Sequence, residues 1–147
     1  TIYQRALAIY EAQLGSDHPD TAQSLNDLAE LYSVIEQYEK AKLLYVRALE
    51  IIEAILGIDH PNRALTSCNL AAIFSQQGDY ARAENLYTTS IEVILKALGQ
   101  EHPSTKSAIG QFLHSIGCAV DAGQEKELSS HPLTRELLAQ VKAKQSG

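Results

Sequence analysis

The side chains that could do chemistry are few, and most stand at regular spacing. His18, His60 and His102 recur every 42 residues, each followed by proline. Evenly spaced imidazoles suggest metal ligation, but a zinc ion holds its nitrogen ligands within ~2.1 Å. Successive repeated units set neighbouring helices ~8–10 Å apart. The ladder therefore cannot converge on one ion, and no metal site is expected. The His-Pro pairs read instead as helix starts that fix the entry angle of the chain. Cys68 and Cys118 lack CxxC spacing, which argues against a structural zinc site and a disulfide framework. They read as small, half-buried thiols in a reducing, cytoplasmic compartment.

His114 precedes Cys118 by four residues, so the two can touch on one helix. A nucleophilic thiol needs a base that a third group orients. No such group is evident, and a hydrolase built on this pair is not expected. The carboxylates, among them Glu36, Glu39, Glu50, Glu53 and Glu84, read as solvent-facing helix positions. Glu36 and Lys40 are spaced as an i,i+4 pair worth ~0.2–0.5 kcal/mol. No glycine-rich phosphate loop, Ser-His-Asp set or HExxH motif occurs, so neither an enzymatic activity nor a cofactor is expected.

Positioning these residues falls to helices. The chain has 147 residues, 45% of them apolar and 20% charged, which is ordinary for a folded domain or a short repeat array. Its formal charge of -6 argues against a nucleic-acid binder, which needs a basic face. No apolar run approaches the ~20 residues of a membrane span. Leu14-Gly15-Ser16-Asp17-His18-Pro19 recurs as Leu56-Gly57-Ile58-Asp59-His60-Pro61 and as Leu98-Gly99-Gln100-Glu101-His102-Pro103. Tyr3, Tyr45 and Tyr87 keep the same step, as do Ala6, Ala48 and Ser90, and Ala29 with Ala71.

Each unit reads as two helices. Proline suits a first helical position because its missing N–H would be unpaired there. Asp17, Asp20 and Thr21 supply acceptors and negative charge at that end. Ala22, Leu25, Leu28, Ala29 and Tyr32 then follow at spacings of three and four, a helical period. A turn near Glu36-Gln37 leads to Tyr38, Ala41, Leu44, Tyr45, Ala48, Leu49 and Ile52, and Gly57 ends the second helix. The spacing predicts an all-α array over 1–147: a lone second helix over 1–17, full repeats over 18–59 and 60–101, and a degenerate repeat over 102–147. In the last, Ala122 stands where tyrosine would start the second helix. A capping helix over about 132–144 carries Leu133, Leu137, Leu138 and Val141 on one face. Because the chain opens inside a helix without methionine, it reads as a piece of a longer protein.

Asn69-Leu70-Ala71, Phe74, Gly78-Asp79-Tyr80, Ala83, Tyr87 and Ser90 resemble the tetratricopeptide repeat. The 42-residue unit with Leu-Gly-x-x-His-Pro is similar to the kinesin light chain type, and also to arrays found beside nucleotide-binding domains in large signalling proteins. The resemblance covers residues 1–120. It implies a right-handed superhelical solenoid of about three and a half antiparallel helix pairs, with first helices lining the concave side.

The resemblance further implies a protein–protein interaction module that holds a peptide or protein segment in its concave groove. The alternative is a spacer that positions other domains and binds nothing. Carried over position by position, the groove residues are Gln23, Asn26, Glu30 and Ser33, then Leu65, Cys68, Ala72 and Gln76, then Ser107, Gly110 and His114. In kinesin light chains the asparagine matching Asn26 can bond a peptide backbone; here Cys68 and Gly110 break that ladder. Asn69, one position on, is expected to face the neighbouring helix. The groove lacks the lysines and arginines that grip acidic ligands, so an acidic peptide is not the expected partner. Residues 1–50 carry four Lys plus Arg against eight Asp plus Glu, which favours basic flanks on the ligand. Ile2, Leu7, Ile9 and Leu14 on the lone helix over 1–14 are expected to drive weak self-association.

Overall fold

The computed structural model describes residues 2–15 and 18–146, apart from the side chains of Tyr3, Tyr10 and Leu14. The described residues form α1 (Ile2–Leu14), α2 (Pro19–Val34), α3 (Tyr38–Leu56), α4 (Pro61–Gln76), α5 (Tyr80–Leu98), α6 (Pro103–Asp121) and α7 (Pro132–Ser146), with a short 3₁₀ turn over Glu125–Glu127. No strand occurs among them. Helices α2 with α3 and α4 with α5 form antiparallel pairs, and the first helices α2, α4 and α6 lie side by side. This is the all-α solenoid expected from the repeat.

The histidines start helices, and they do so as caps. Nδ1 of His18, His60 and His102 accepts the backbone N–H of Asp20, Asn62 and Ser104 at 3.1, 3.1 and 3.0 Å. His131 does the same for Leu133 at 3.2 Å. Each ring satisfies one of the amides that a helix start leaves unpaired. The expected caps do less. Thr21 donates its hydroxyl to the Gly15 carbonyl at 2.9 Å rather than accepting. Asp17, with Ser16, lies outside the described residues.

The inner turns share one hydrogen-bond pattern, the Schellman closure of a helix end. Gln37 N–H donates to Tyr32 O and Asp79 N–H to Phe74 O, at 2.8 and 2.9 Å. Gln124 N–H donates to Ala119 O at 2.8 Å. The residues before these donors, Glu36, Gly78 and Gly123, have φ of 62°, 82° and 74°. Glu36 is therefore outside α3, and the expected Glu36–Lys40 pair does not form. Lys40 instead places its Nζ over the Tyr32 ring, 5.4 Å from its centre.

The degenerate repeat differs from the others by an insertion. Helix α6 has 19 residues where α4 has 16, so its turn arrives three residues late. The start of α7 then depends on Glu84, which is only 6% exposed. Its carboxylate accepts from the Ser129 N–H at 2.9 Å, the Ser129 hydroxyl at 2.7 Å and the Thr134 hydroxyl at 2.5 Å. The sequence reading of Glu84 as solvent-facing is thereby corrected: the 128–134 segment folds over it. Leu128, Leu137 and Leu138 bury against the same core.

That core is one continuous cluster over α4–α7, centred on Tyr87 and Phe112, whose rings stack at 5.1 Å. Ala71 and Ala83, both 0% exposed, let the backbones approach closely there. Two smaller clusters serve α2 and α3, one around Leu25 and Ile51, the other around Tyr45 and Ile73. Among the described residues no helix is long and apolar enough to cross a membrane.

Candidate functional site: the groove along the first helices

Placing α2, α4 and α6 side by side opens three linked clefts. The first, about 280 Å³, lies between α2 and α4 and holds Gln23, Asn26 and Leu65. One wall is apolar, from Ile52, Ile55 and Leu56 at the end of α3; the other carries Asn62, Thr66 and Asn69. The second, about 360 Å³, lies between α4 and α6 and holds Leu65, Cys68 and Ser107, with Asn69 and Gln111. The third, about 230 Å³, holds Ala72, Gln76 and His114, again with Gln111. Leu65 and Asn69 join the first cleft to the second, and Gln111 joins the second to the third. Among the described residues, no Asp, Glu, Lys or Arg lines any of the three.

The expected groove residues thus divide. Gln23, Asn26, Leu65, Cys68, Ala72, Gln76, Ser107 and His114 line the track. Ser33 sits beside it and donates its hydroxyl to Gln76 Oε1 at 3.5 Å, tying α2 to α4. Glu30 and Gly110 are exposed but line none of the clefts. Cys68, expected to be half-buried, is 1% exposed and forms floor rather than contact surface. Burial pushes its thiol up to about 12, against a lowering bond to Ser90, so it stays neutral.

Asn26 is less free than its place in the ladder suggests. Its Nδ2 donates to Thr66 Oγ1 at 3.3 Å, and Thr66 in turn donates to the Asn62 carbonyl at 3.0 Å. Its Oδ1 is buried with no partner, and so is Oε1 of Gln111. A buried, unmade hydrogen bond costs ~1–3 kcal/mol.

Asn69 and Gln111 are the residues that the position-by-position transfer misses. Asp27, Asn69 and Gln111 share one register of the repeat, one position after Asn26, Cys68 and Gly110. The carboxamide row does not stop at Asn26; it moves over by one residue. In the first repeat the corresponding Asp27 is occupied, accepting from Gln23 Nε2 at 3.0 Å. The signal was legible in the sequence, as two amide side chains at a step of 42.

Comparison with known proteins agrees with this architecture. The tetratricopeptide repeat profile matches residues 1–54 and 36–96. A search of curated protein sequences finds no match. Among solved structures, a Podosopora anserina protein described as a kinesin light chain with nearly identical TPR-like repeats is 27% identical, with a TM-score of 0.66. The alignment covers 98% of this chain and 64% of that one. BtubC (BKLC) from P. vanneervenii shares the fold at 19% identity and a TM-score of 0.72, over 99% of this chain and 56% of that chain. The chain thus spans about three-fifths of the length of these structures. Folds of this kind are typically non-enzymatic scaffolds, and their repeats generally bind proteins or peptides. With its helix pairs, its period and its profile in agreement, the chain belongs to the tetratricopeptide repeat family, in the kinesin light chain-like form.

Proposed function

We propose that this chain is a protein-interaction module that holds a non-acidic, extended peptide segment along the α2–α4–α6 track. The observation that carries the reading is the track itself: continuous, without formal charge among its described lining residues, and edged with carboxamides, two of which keep buried oxygens without partners. Peptide N–H groups are the donors those oxygens lack. The apolar wall of Ile52, Ile55 and Leu56 offers a seat for one bulky apolar side chain, and such anchors carry most of the affinity in peptide recognition. An acidic segment would find no cation in the track. The acidic excess of the N-terminal third favours basic residues flanking the anchor, an attraction that salt screens over ~8–10 Å.

Selection from a random peptide library on the immobilised chain tests this. Enriched peptides should carry an apolar anchor and few Asp or Glu. Asn26→Ala and Ala72→Arg should each weaken them about tenfold or more. Enrichment of acidic peptides would contradict the charge argument, and binding indifferent to both variants would move the site elsewhere. No enrichment at all would favour the spacer.

A second, weaker contact belongs to α1. Ile2 and Ile9 are 82% and 52% exposed, whereas Leu7 packs against the Leu25 cluster and Leu14 lies outside the described side chains. The apolar face is narrower than the sequence suggests. We propose weak self-association through it, to be read as a concentration-dependent sedimentation coefficient that Ile2→Ser with Ile9→Ser abolishes. A constant monomer value across the concentration range would refute it.

A further inference from the structure

The third cleft contains chemistry that peptide binding does not use. On α6, Cys118 Sγ lies 3.7 Å from His114 Nε2, close enough for the thiol to donate its proton to the ring. Cys118 is partly exposed, unlike Cys68. Both members of the pair line the cleft of about 230 Å³, which is several times the ~30 Å³ of a liquid water. Tyr87 and Ala72 give it an apolar side; Ser115, 4% exposed, and Gln111 give it a polar one. A nucleophile, a base and a space larger than water therefore meet in one place.

We infer that Cys118, with His114 as its base, is a covalent modification site for small α,β-unsaturated carbonyl compounds. The sulfur is a soft nucleophile that reacts as the thiolate. As Sγ bonds to the β-carbon, His114 Nε2 takes the thiol proton. The C=C π pair moves to the α-carbon, which then receives that proton from the imidazolium. The net change is addition across the double bond, with no leaving group and no oxidant. Cys68 has neither access nor a base, and burial keeps its thiol protonated.

Acrylamide is the probe, added to the folded chain and followed by intact mass and peptide mapping. One adduct should form, at Cys118, with Cys68 unmodified until the chain is unfolded. Cys118 should react at least about tenfold faster in the folded chain than in guanidinium at the same pH, a modest share of what a positioned base supplies. His114→Asn should remove the acceleration, while its melting curve shows that the chain still folds. A folded rate at or below the unfolded one would overturn the assignment without reference to any variant, as would a His114→Asn rate equal to the parent. Because no peptide is present, the outcome is independent of the proposed groove ligand.

Discussion

Single residues carry more of this structure than the repeat pattern reveals. The histidines of three His-Pro pairs recur every 42 residues for a reason that spacing alone leaves open: their Nδ1 atoms cap helices. The capping bond required the backbone geometry. Glu36 shows the reverse case, where the repeat was readable and the consequence was missed. Its counterpart 42 residues on is Gly78, and both occupy the left-handed position that closes the helix. A side chain there costs roughly 1–2 kcal/mol, while glycine gives back ~0.5–1 kcal/mol in chain entropy. Glu36→Gly should therefore raise stability by up to about 1 kcal/mol. Urea unfolding monitored by circular dichroism will show it as a higher midpoint at unchanged slope. A lowered midpoint would mean that the turn is not strained at this residue.

At the level of elements, α1–α6 follow from period, proline and glycine, because each helix in turn presents the same face to the next. The C-terminal element was legible only in part. Its helix and apolar face were expected from Leu133, Leu137, Leu138 and Val141, and Leu137 and Leu138 are indeed buried. Two features that set its position were hidden. The three extra residues of α6 move the turn out of the 42-residue step, so a search at fixed spacing lands on Ala122 and finds decay. The carboxylate that holds the segment stands 45 and 50 residues from its partners, on a register where the preceding repeat has Lys42. Nothing local marks Glu84 as different from its exposed neighbours. Its removal strands the Thr134 hydroxyl, which is 0% exposed, and a stranded buried donor costs ~1–3 kcal/mol. Glu84→Ala should lower stability by about that amount and open Arg135 and Lys142 to trypsin before the rest of the array. Glu84→Gln, which keeps one acceptor, should lose less. Equal trypsin sensitivity in parent and Ala variant would show that α7 is held by its leucines alone.

In the whole molecule the core is unevenly distributed. The α4–α7 half shares one continuous cluster, while α2 and α3 depend on two smaller ones, and α1 has an exposed apolar face. In a repeat array stability is close to a sum over units and nearest-neighbour interfaces. Helix α1 packs on α2 and is tied to α3 by the Glu11–Arg47 ion pair, with nothing on its other side among the described residues. Ion pairs of that exposure are worth ~0–1 kcal/mol. By contrast α5 packs on α4, α6 and α7 and contributes Tyr87, Ile91 and Ile94 to the large cluster. Opening free energies in one protein range from about zero to the global value, and this asymmetry sets their order along the chain. Native-state hydrogen exchange should show α1 amides exchanging first, α2 and α3 next, and α4–α6 last and together. Glu84→Ala should speed exchange in α7 and leave the amides of α1 unchanged, because no interface joins them. If α1 instead exchanges with the protection of α5, the array opens as a single cooperative unit, and the division of its core into separate clusters has no energetic meaning.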